Sequence, residues 1–264
     1  MKNKKSLGQN WLYNRGILEE IADLASRGVL EESADDFAEK TEVETCVEIG
    51  PGLGTLTSSL LKRFNKVIAV EFDERLAENL PKSFPGKNLE VINEDILKFD
   101  FSAVREPYVV AGNIPYYITS PIIEKVLMMS NKPKRIVLLV QKEVAERILD
   151  SRGSVLSLFV KTYARVFSGP VVLKEEFTPP PKVDSQVIVL EPLEKPVVSD
   201  EVFKLIRAGF RAPRKKVVAN LSSLRSREEL KKVFGDLEID SDARPADLGL
   251  NEWKKLHEKL FVSE

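Results

Sequence analysis

Five short apolar runs recur between residues 45 and 141: TCVEIG, KVIAVE, LEVINED, PYVVAGN and RIVLLVQ. Each reads as a buried strand. Helical patterns lie among them, in TLTSSLLKRF, ERLAENLPKSF (stopped near Pro81), SPIIEKVLMMS and KEVAERILD. Strands alternating with helices of ten or so residues imply a mostly parallel sheet covered on both faces. A first helix is expected over residues 15 to 30, with Ile17, Leu18, Ile21, Leu24 and Ala25 on one face. The acidic stretch EESADDFAEKTE reads as a surface excursion, SVLSLFVKTYARV as helical, and SQVIVLEP as a late strand.

The texture changes after residue 190. Residues 191 to 200 hold two prolines and read as a linker. Beyond it EVFKLIRAGF, KKVVANLSSL, REELKKVF and NEWKKLHEKLF are amphipathic helices with no strand signal. Two domains are expected, residues 1–192 and 193–264.

Composition removes several kinds of chemistry. With 264 residues, 43% hydrophobic and 31% charged, the chain has an ordinary globular balance. A single cysteine, Cys46, excludes an intramolecular disulfide framework, and a single histidine, His257, leaves no Cys/His metal cluster. Ser–His or Cys–His catalysis would depend on His257, in a charged helical stretch near the C-terminus. The basic N-terminus lacks the apolar core of a signal peptide, and no apolar run reaches membrane-spanning length. A cytoplasmic setting, with no metal and no membrane partner, is expected.

The strongest local signal is VEIGPGLGTLT, which sets Gly50, Gly52 and Gly54 between a strand and a helix. Glycine suits a tight turn and close backbone approach to a ligand. The spacing G-x-G-x-G departs from the G-x-G-x-x-G of nicotinamide-cofactor sites. Glu71 ends the next strand, about 20 residues on, where an acid takes the hydroxyls of a ribose. Asp95 ends the third strand, where it can accept from an adenine amino group. Glu48 precedes the loop and can hold a ligand cation or orient the turn. Any one acid reads most simply as a solvated strand end, but three successive strand ends deliver one to the same edge. In open α/β sheets that edge is the ligand crevice. A ligand with ribose, adenine and a cationic centre suits such a rim better than a pyrophosphate does, and S-adenosylmethionine fits that description.

VEIGPGLGTLT, VIAVEFD, INEDILKFD and GNIPYYITSPII resemble the successive motifs of class I S-adenosylmethionine-dependent methyltransferases. The set as a whole resembles the KsgA family, the small-subunit (16S) rRNA adenine N6,N6-dimethyltransferases. KKSLGQNWL, LLVQKEVAERIL, FTPPPKVDSQVIVL and FRAPRKKVVANL are similar to further blocks of that family. The resemblance spans nearly the whole chain, in order. It departs in the long acidic stretch from Glu31 to Glu42, and in FRAPRKKVVANL, which lacks a consecutive double arginine before the lysine.

The resemblance implies a Rossmann-like methyltransferase domain over 1–192 and a small helical RNA-binding domain over 193–264. Asn10 and Leu12, with Gln9, fall where the family's N-terminal motif folds over the cofactor; GQNWL can equally be a loop that packs Trp11 and Leu12 into the domain. Asn113-Ile114-Pro115-Tyr116 resembles the tetrapeptide of amino-group methyltransferases. An exocyclic adenine amine is a poor nucleophile because its lone pair is delocalised into the ring. The Asn113 side-chain oxygen and the Ile114 carbonyl can both accept from that NH2, and Pro115 fixes the carbonyl's direction. Tyr116 offers a stacking face to a flipped base. Tyr117 is expected to pack rather than to touch a base.

The implied substrate is a pair of adjacent adenosines in the 3′-terminal hairpin loop of small-subunit rRNA, with the assembling small subunit as partner and a monomeric enzyme. The tail's basic residues Lys204, Arg207, Arg211, Arg214, Lys215, Lys216, Arg225, Arg227, Lys231 and Lys232 are opposed mainly by Glu228 and Glu229. Arg211, Arg214, Lys215 and Lys216, together with Lys2, Lys4 and Lys5, are the expected phosphate contacts; a solvated helix face is the plainer reading of such a run. Two alternatives stay open: a large-subunit rRNA adenine methyltransferase of the macrolide-resistance type, and a non-catalytic rRNA-binding assembly factor.

Overall fold

The computed structural model describes residues 9–27, 43–105, 107–150 and 153–262. The acidic stretch and the N-terminal lysines lie outside them. The chain divides into two compact units, Met1–Ala145 with Arg165–Pro192, and Glu146–Ala164 with Leu193–Glu264. The second unit therefore takes a segment from within the first 192 residues as well as the tail.

Among the described residues, nine strands and four α-helices, with part of a fifth, build the first unit's sheets and their helical cover. Strand β1 (Trp11–Leu12) precedes helix α1 (Arg15–Arg27), and β2 (Thr45–Ile49) precedes α2 (Thr55–Leu60). Strand β3 (Lys66–Glu71) leads to α3 (Glu74–Asn79), followed by β4 (Leu89–Asn93), β5 (Tyr108–Asn113) and α4 (Thr119–Met128). Strand β6 (Arg135–Gln141) leads to α5 (Lys142–Leu149), which runs across the boundary between the units. After α6 (Val155–Tyr163) come β7 (Ala164–Val172), β8 (Phe177–Thr178) and β9 (Ser185–Pro192).

The seven-stranded sheet runs β4-β3-β2-β5-β6-β9-β7. Strands β4 to β6 are parallel to their neighbours, and β9 is antiparallel to β6. A second, two-stranded sheet pairs β1 with β8. Successive residues on central strands, Cys46 with Val47 and Val109 with Val110, are both fully buried. That is the pattern of a sheet covered on both faces. Helix α1 buries Leu18, Ile21, Ala22 and Ala25, with Ile17 and Leu24 partly buried against the same core. It begins where Asn14 caps the Ile17 N–H at 3.2 Å.

One expectation fails. SVLSLFVKTYARV is not a single helix: α6 stops at Tyr163, and Ala164–Val172 forms the edge strand β7. The run ARVFSGPVV carries β-branched residues, a glycine and a proline, a mixture that an edge strand tolerates and a helix does not. An added Cβ at Gly169 would come within 2.8 Å of Val187, so β7 lies close against β9. A short apolar run cannot by periodicity alone be told from a helix, which is why the boundary was misplaced.

In the second unit, α6 packs with α7 (Asp200–Gly209) and α10 (Leu250–His257), while α8 (Val217–Leu221) packs with α7 and α9 (Arg227–Asp236). Trp253, Phe234, Leu221 and Leu256 are fully buried at its centre. An added Cβ at Gly209 would overlap the Trp253 ring, so the glycine makes room for the indole. Ser226 caps α9 by accepting from the Glu229 N–H at 3.1 Å. Among the described residues no helix is long and apolar enough to cross a membrane.

Candidate active site

Parallel strands in register deliver their C-termini to one edge. Ile49, Glu71, Asn93 and Asn113 end β2, β3, β4 and β5 there. Strand β2 lies between β3 and β5, so the order along the sheet reverses at β2, the place where open α/β sheets bind ligands. A cavity opens at that edge. Its wall includes Gln9, Asn10, Glu48, Gly50, Gly52, Glu71, Asp95, Asn113, Ile114, Pro115 and Tyr116. Leu12 is not in the wall: its side chain is fully buried in the hydrophobic core beside Val187 and Val189. The packing expected of Leu12 is thus seen, and the leucine anchors the segment that carries Gln9, Asn10 and Trp11.

The glycine loop is held from two sides. Gly50, Gly52 and Gly54 all adopt positive φ, at 64°, 59° and 84°. At Gly52 an added Cβ would also stand 3.1 Å from the Trp11 indole nitrogen, so Trp11 lies on the loop. The Gly52 N–H donates to Glu71 Oε2 at 3.0 Å, and the Asp73 N–H donates to Glu71 Oε1 at 2.8 Å. Glu71 therefore shapes the loop, a role its sequence position did not reveal. Each carboxylate oxygen keeps a second lone pair for a ligand hydroxyl. Burial raises the Glu71 carboxyl, while these backbone donors pull it down. Asp95 Oδ1 accepts from the Leu97 N–H at 2.9 Å.

Glu48 is the most buried of the acids, 1% exposed. The Thr57 hydroxyl of α2 donates to its Oε2 at 2.6 Å. Burial pushes the carboxyl up to about 8; the Thr57 hydrogen bond opposes that rise and nearby Glu71 adds to it. Four acids, Glu48, Glu71, Glu94 and Asp95, line the cavity, and among the described residues no lysine or arginine does. This is a poor host for a pyrophosphate and a good one for a cation. Among the described residues no cluster of side chains could hold a metal ion.

At the end of β5 the Asn113 Nδ2 donates to the Asn10 carbonyl at 3.1 Å. That bond uses one of the amide's two N–H donors and leaves Oδ1 as an acceptor. Pro115, at φ −61° and ψ 132°, then turns the chain into a single 3-10 turn over Tyr116–Ile118. The Ile114 side chain is buried at 2% exposure, which fixes its peptide. The Tyr116 hydroxyl lies 2.7 Å from Ser185 Oγ. Tyr117 is 64% exposed and lines the cavity, so the expectation that it packs into the protein is corrected. Trp11, Thr57 and Ser185 were missed by sequence reasoning. Of these, only Trp11 carried a signal, as an indole next to Asn10.

In the second unit Arg211, Arg214, Lys215 and Lys216 are all exposed. Lys216 Nζ pairs with Asp242, an acid outside the pair expected to oppose the tail's charge. Among the described residues Arg211, Arg214 and Lys215 have no ion-pair partner. Arg225 is committed internally, to the Leu260 carbonyl at 2.8 Å and over the Phe261 ring.

The strand order, with antiparallel β9 set between β6 and β7, and the acidic crevice at the strand ends define a class I methyltransferase. Within that class, the chain belongs to the ribosomal RNA adenine dimethylase family, whose model matches residues 1–260. It is 35% identical over 268 residues to the Ribosomal RNA small subunit methyltransferase A of Dehalococcoides mccartyi, covering 97% of this chain and 88% of that one. It is 38% identical to the protein of the same name from Bacillus pumilus, covering 97% and 91%. Among solved structures, a dimethyladenosine transferase from Plasmodium falciparum matches with a TM-score of 0.74 and 30% identity, over 94% of this chain and 98% of that one. The 23S rRNA methyltransferase ErmE matches with a TM-score of 0.74 and 26% identity, over 95% and 99%.

Proposed function

We propose that the protein transfers methyl groups from S-adenosylmethionine to N6 of two adjacent adenosines in the 3′-terminal hairpin loop of small-subunit rRNA, as a step in small-subunit assembly. The observation that carries this reading is Asn113 in the cavity wall: one N–H of its amide is tied to the Asn10 carbonyl, which orients the side chain and leaves its oxygen as an acceptor. An adenine amine donates to that oxygen and to the Ile114 carbonyl, which favours a pyramidal nitrogen with its lone pair free. When bound, S-adenosylmethionine supplies an activated methyl group, so no strong base is needed and alignment does much of the work. Glu71 and Asp95 would hold its ribose and adenine, and Glu48 its cationic end. The donor set fits: a buried carboxylic acid hydrogen-bonded by the neutral Thr57 hydroxyl and backbone N–H, with no cation beside it in the wall among the described residues, gains most from a ligand cation.

Small-subunit RNA is favoured over large-subunit RNA because relatives at 33–38% identity carry the small-subunit name, against 26% for ErmE. The test is calorimetry of S-adenosylmethionine against NAD, followed by labelled methyl transfer to small and to large subunits. Binding of the first ligand alone and label in small subunits alone are expected. Label in large subunits alone would favour the ErmE-like reading.

Glu48 makes the cofactor's affinity pH-dependent. Its acid form prevails below about 8 without ligand, and a ligand cation favours the carboxylate. Affinity should therefore rise as pH increases toward 8, and binding at pH 7 should release a proton. Calorimetry in buffers of different ionisation enthalpy will show that release in the wild type and a smaller one in Glu48→Gln. Equal release in both proteins would remove Glu48 from the linkage.

Phosphate contact is assigned to Arg211, Arg214 and Lys215, which lack ion-pair partners among the described residues. Replacing all three by Ala should weaken RNA binding and reduce the slope of log affinity against log salt by about 2. Lys216→Ala, which removes a lysine already paired with Asp242, should do less. A filter-binding salt titration with an unaltered slope would reduce the cluster to a solvated face.

A further inference from the structure

Ser185 is fully buried, yet no step of the reaction uses it. It opens β9, the reversed strand, and pairs in register with Gln141 at the end of β6. The residue before it is pinned as well. The Asp184 carbonyl accepts from the Lys142 N–H at 3.0 Å, and Asp184 Oδ1 accepts from the Lys174 N–H at 3.0 Å. The Ser185 hydroxyl is thus delivered to a fixed point by backbone ladders on either side. At that point it meets the Tyr116 hydroxyl, 2.7 Å away.

The Tyr116 carbonyl accepts from the Thr119 N–H, a bond that holds the backbone and leaves the ring's own torsion free. Tyr116 begins a one-turn 3-10 segment between β5 and α4, and its ring is partly buried in the cavity wall. A phenol ring on a short turn can swing about its first side-chain torsion, and a bond at the far end of the ring removes that freedom. The energetic logic is one-sided. Ser185 lies where water does not reach it, so a ring that swings away leaves a buried hydroxyl unsatisfied.

We propose that Ser185 is a positioning residue that holds the Tyr116 ring in the plane on which the target adenine stacks. The inference rests on the adenine-methylating reading above. It gives the block PPPKVDS a function: the segment carries the chain back antiparallel so that its serine reaches the end of β5, 69 residues away in sequence.

The test is a double-mutant cycle in single-turnover methylation of small subunits at saturating S-adenosylmethionine. Ser185→Ala and Tyr116→Phe each remove one partner of the same hydrogen bond. Each should slow methyl transfer roughly five- to tenfold, the effect of one neutral hydrogen bond. The double variant should be no slower than the slower single variant. Cofactor affinity by calorimetry should stay at the wild-type value, since the ring meets the base and not the cofactor. Additive losses, full activity in Ser185→Ala, or an equal loss of cofactor affinity would each overturn the proposal. If Ser185→Ala does not fold, Tyr116→Phe decides alone, because it breaks the bond and leaves Ser185 in place; full activity there overturns it. A wild-type protein that methylates no RNA would instead contradict the proposed function, so the two failures are distinct.

Discussion

Asn113→Ala is expected to slow methyl transfer to RNA by on the order of 100-fold or more, comparable to losing one well-placed transition-state partner. The side chain has two tasks. Its Nδ2 ties the Asn10 segment to the end of β5, and its Oδ1 is the proposed acceptor for the adenine amine. Alanine ends both. Cofactor affinity should fall less than the rate, because the target amine is the main partner of the oxygen, although Asn10 is in the same wall. Asn113→Asp separates the two tasks. It keeps an acceptor for the amine but turns a second oxygen toward the Asn10 carbonyl, so the N-terminal segment should loosen and the rate should still drop. Single-turnover methylation of small subunits, with the fold confirmed by circular dichroism, measures all three proteins. Near-normal turnover by folded Asn113→Ala would remove Asn113 from the chemistry.

Glu71→Ala should weaken S-adenosylmethionine binding by about 1–3 kcal/mol, the usual loss for hydrogen bonds to a charged group. That is roughly five- to 150-fold in dissociation constant. The structure places the effect toward the upper end. Alanine removes the proposed ribose acceptor and also strands the Gly52 and Asp73 N–H groups, so the glycine loop loses its tie to Glu71 and keeps the Gly50 N–H bond to the Val70 carbonyl of β3. Glu71→Gln keeps one oxygen for one of those donors and should fall between wild type and alanine. Calorimetry on folded variants decides; unchanged affinity in Glu71→Ala would take the residue out of the site.

The sheet and the acidic rim were legible because both depend on local pattern. TCVEI, KVIAVE and YVVAGN announce buried strands by their apolar runs, and parallel connections force their C-terminal acids and Asn113 to a common edge. What escaped was the set of bonds that close the site. Glu71 to Gly52 spans 19 residues, Tyr116 to Ser185 spans 69, and Asn113 to Asn10 spans 103. The spacing that placed Glu71 near the loop did not show that it bonds the loop itself, and no spacing rule reaches the other two pairs, because such partners meet only once the strands have taken their order. The edge strand β7 escaped for another reason: it follows α6 directly, with no glycine or proline at the junction to mark where the helix stops. Tyr117 shows the same limit in reverse, since an aromatic in a shaped loop gives no sign of whether it points inward or out.

The central claim is that this cavity dimethylates adenine at N6 in small-subunit rRNA. Its most direct measurement is nucleoside mass spectrometry of that rRNA after incubation of small subunits with the protein and isotope-labelled S-adenosylmethionine. The expected result is labelled N6,N6-dimethyladenosine from two adjacent positions in the 3′-terminal hairpin loop, absent when Asn113→Ala replaces the wild type. Unlabelled adenosine at those positions, or label on any atom other than N6, would contradict it.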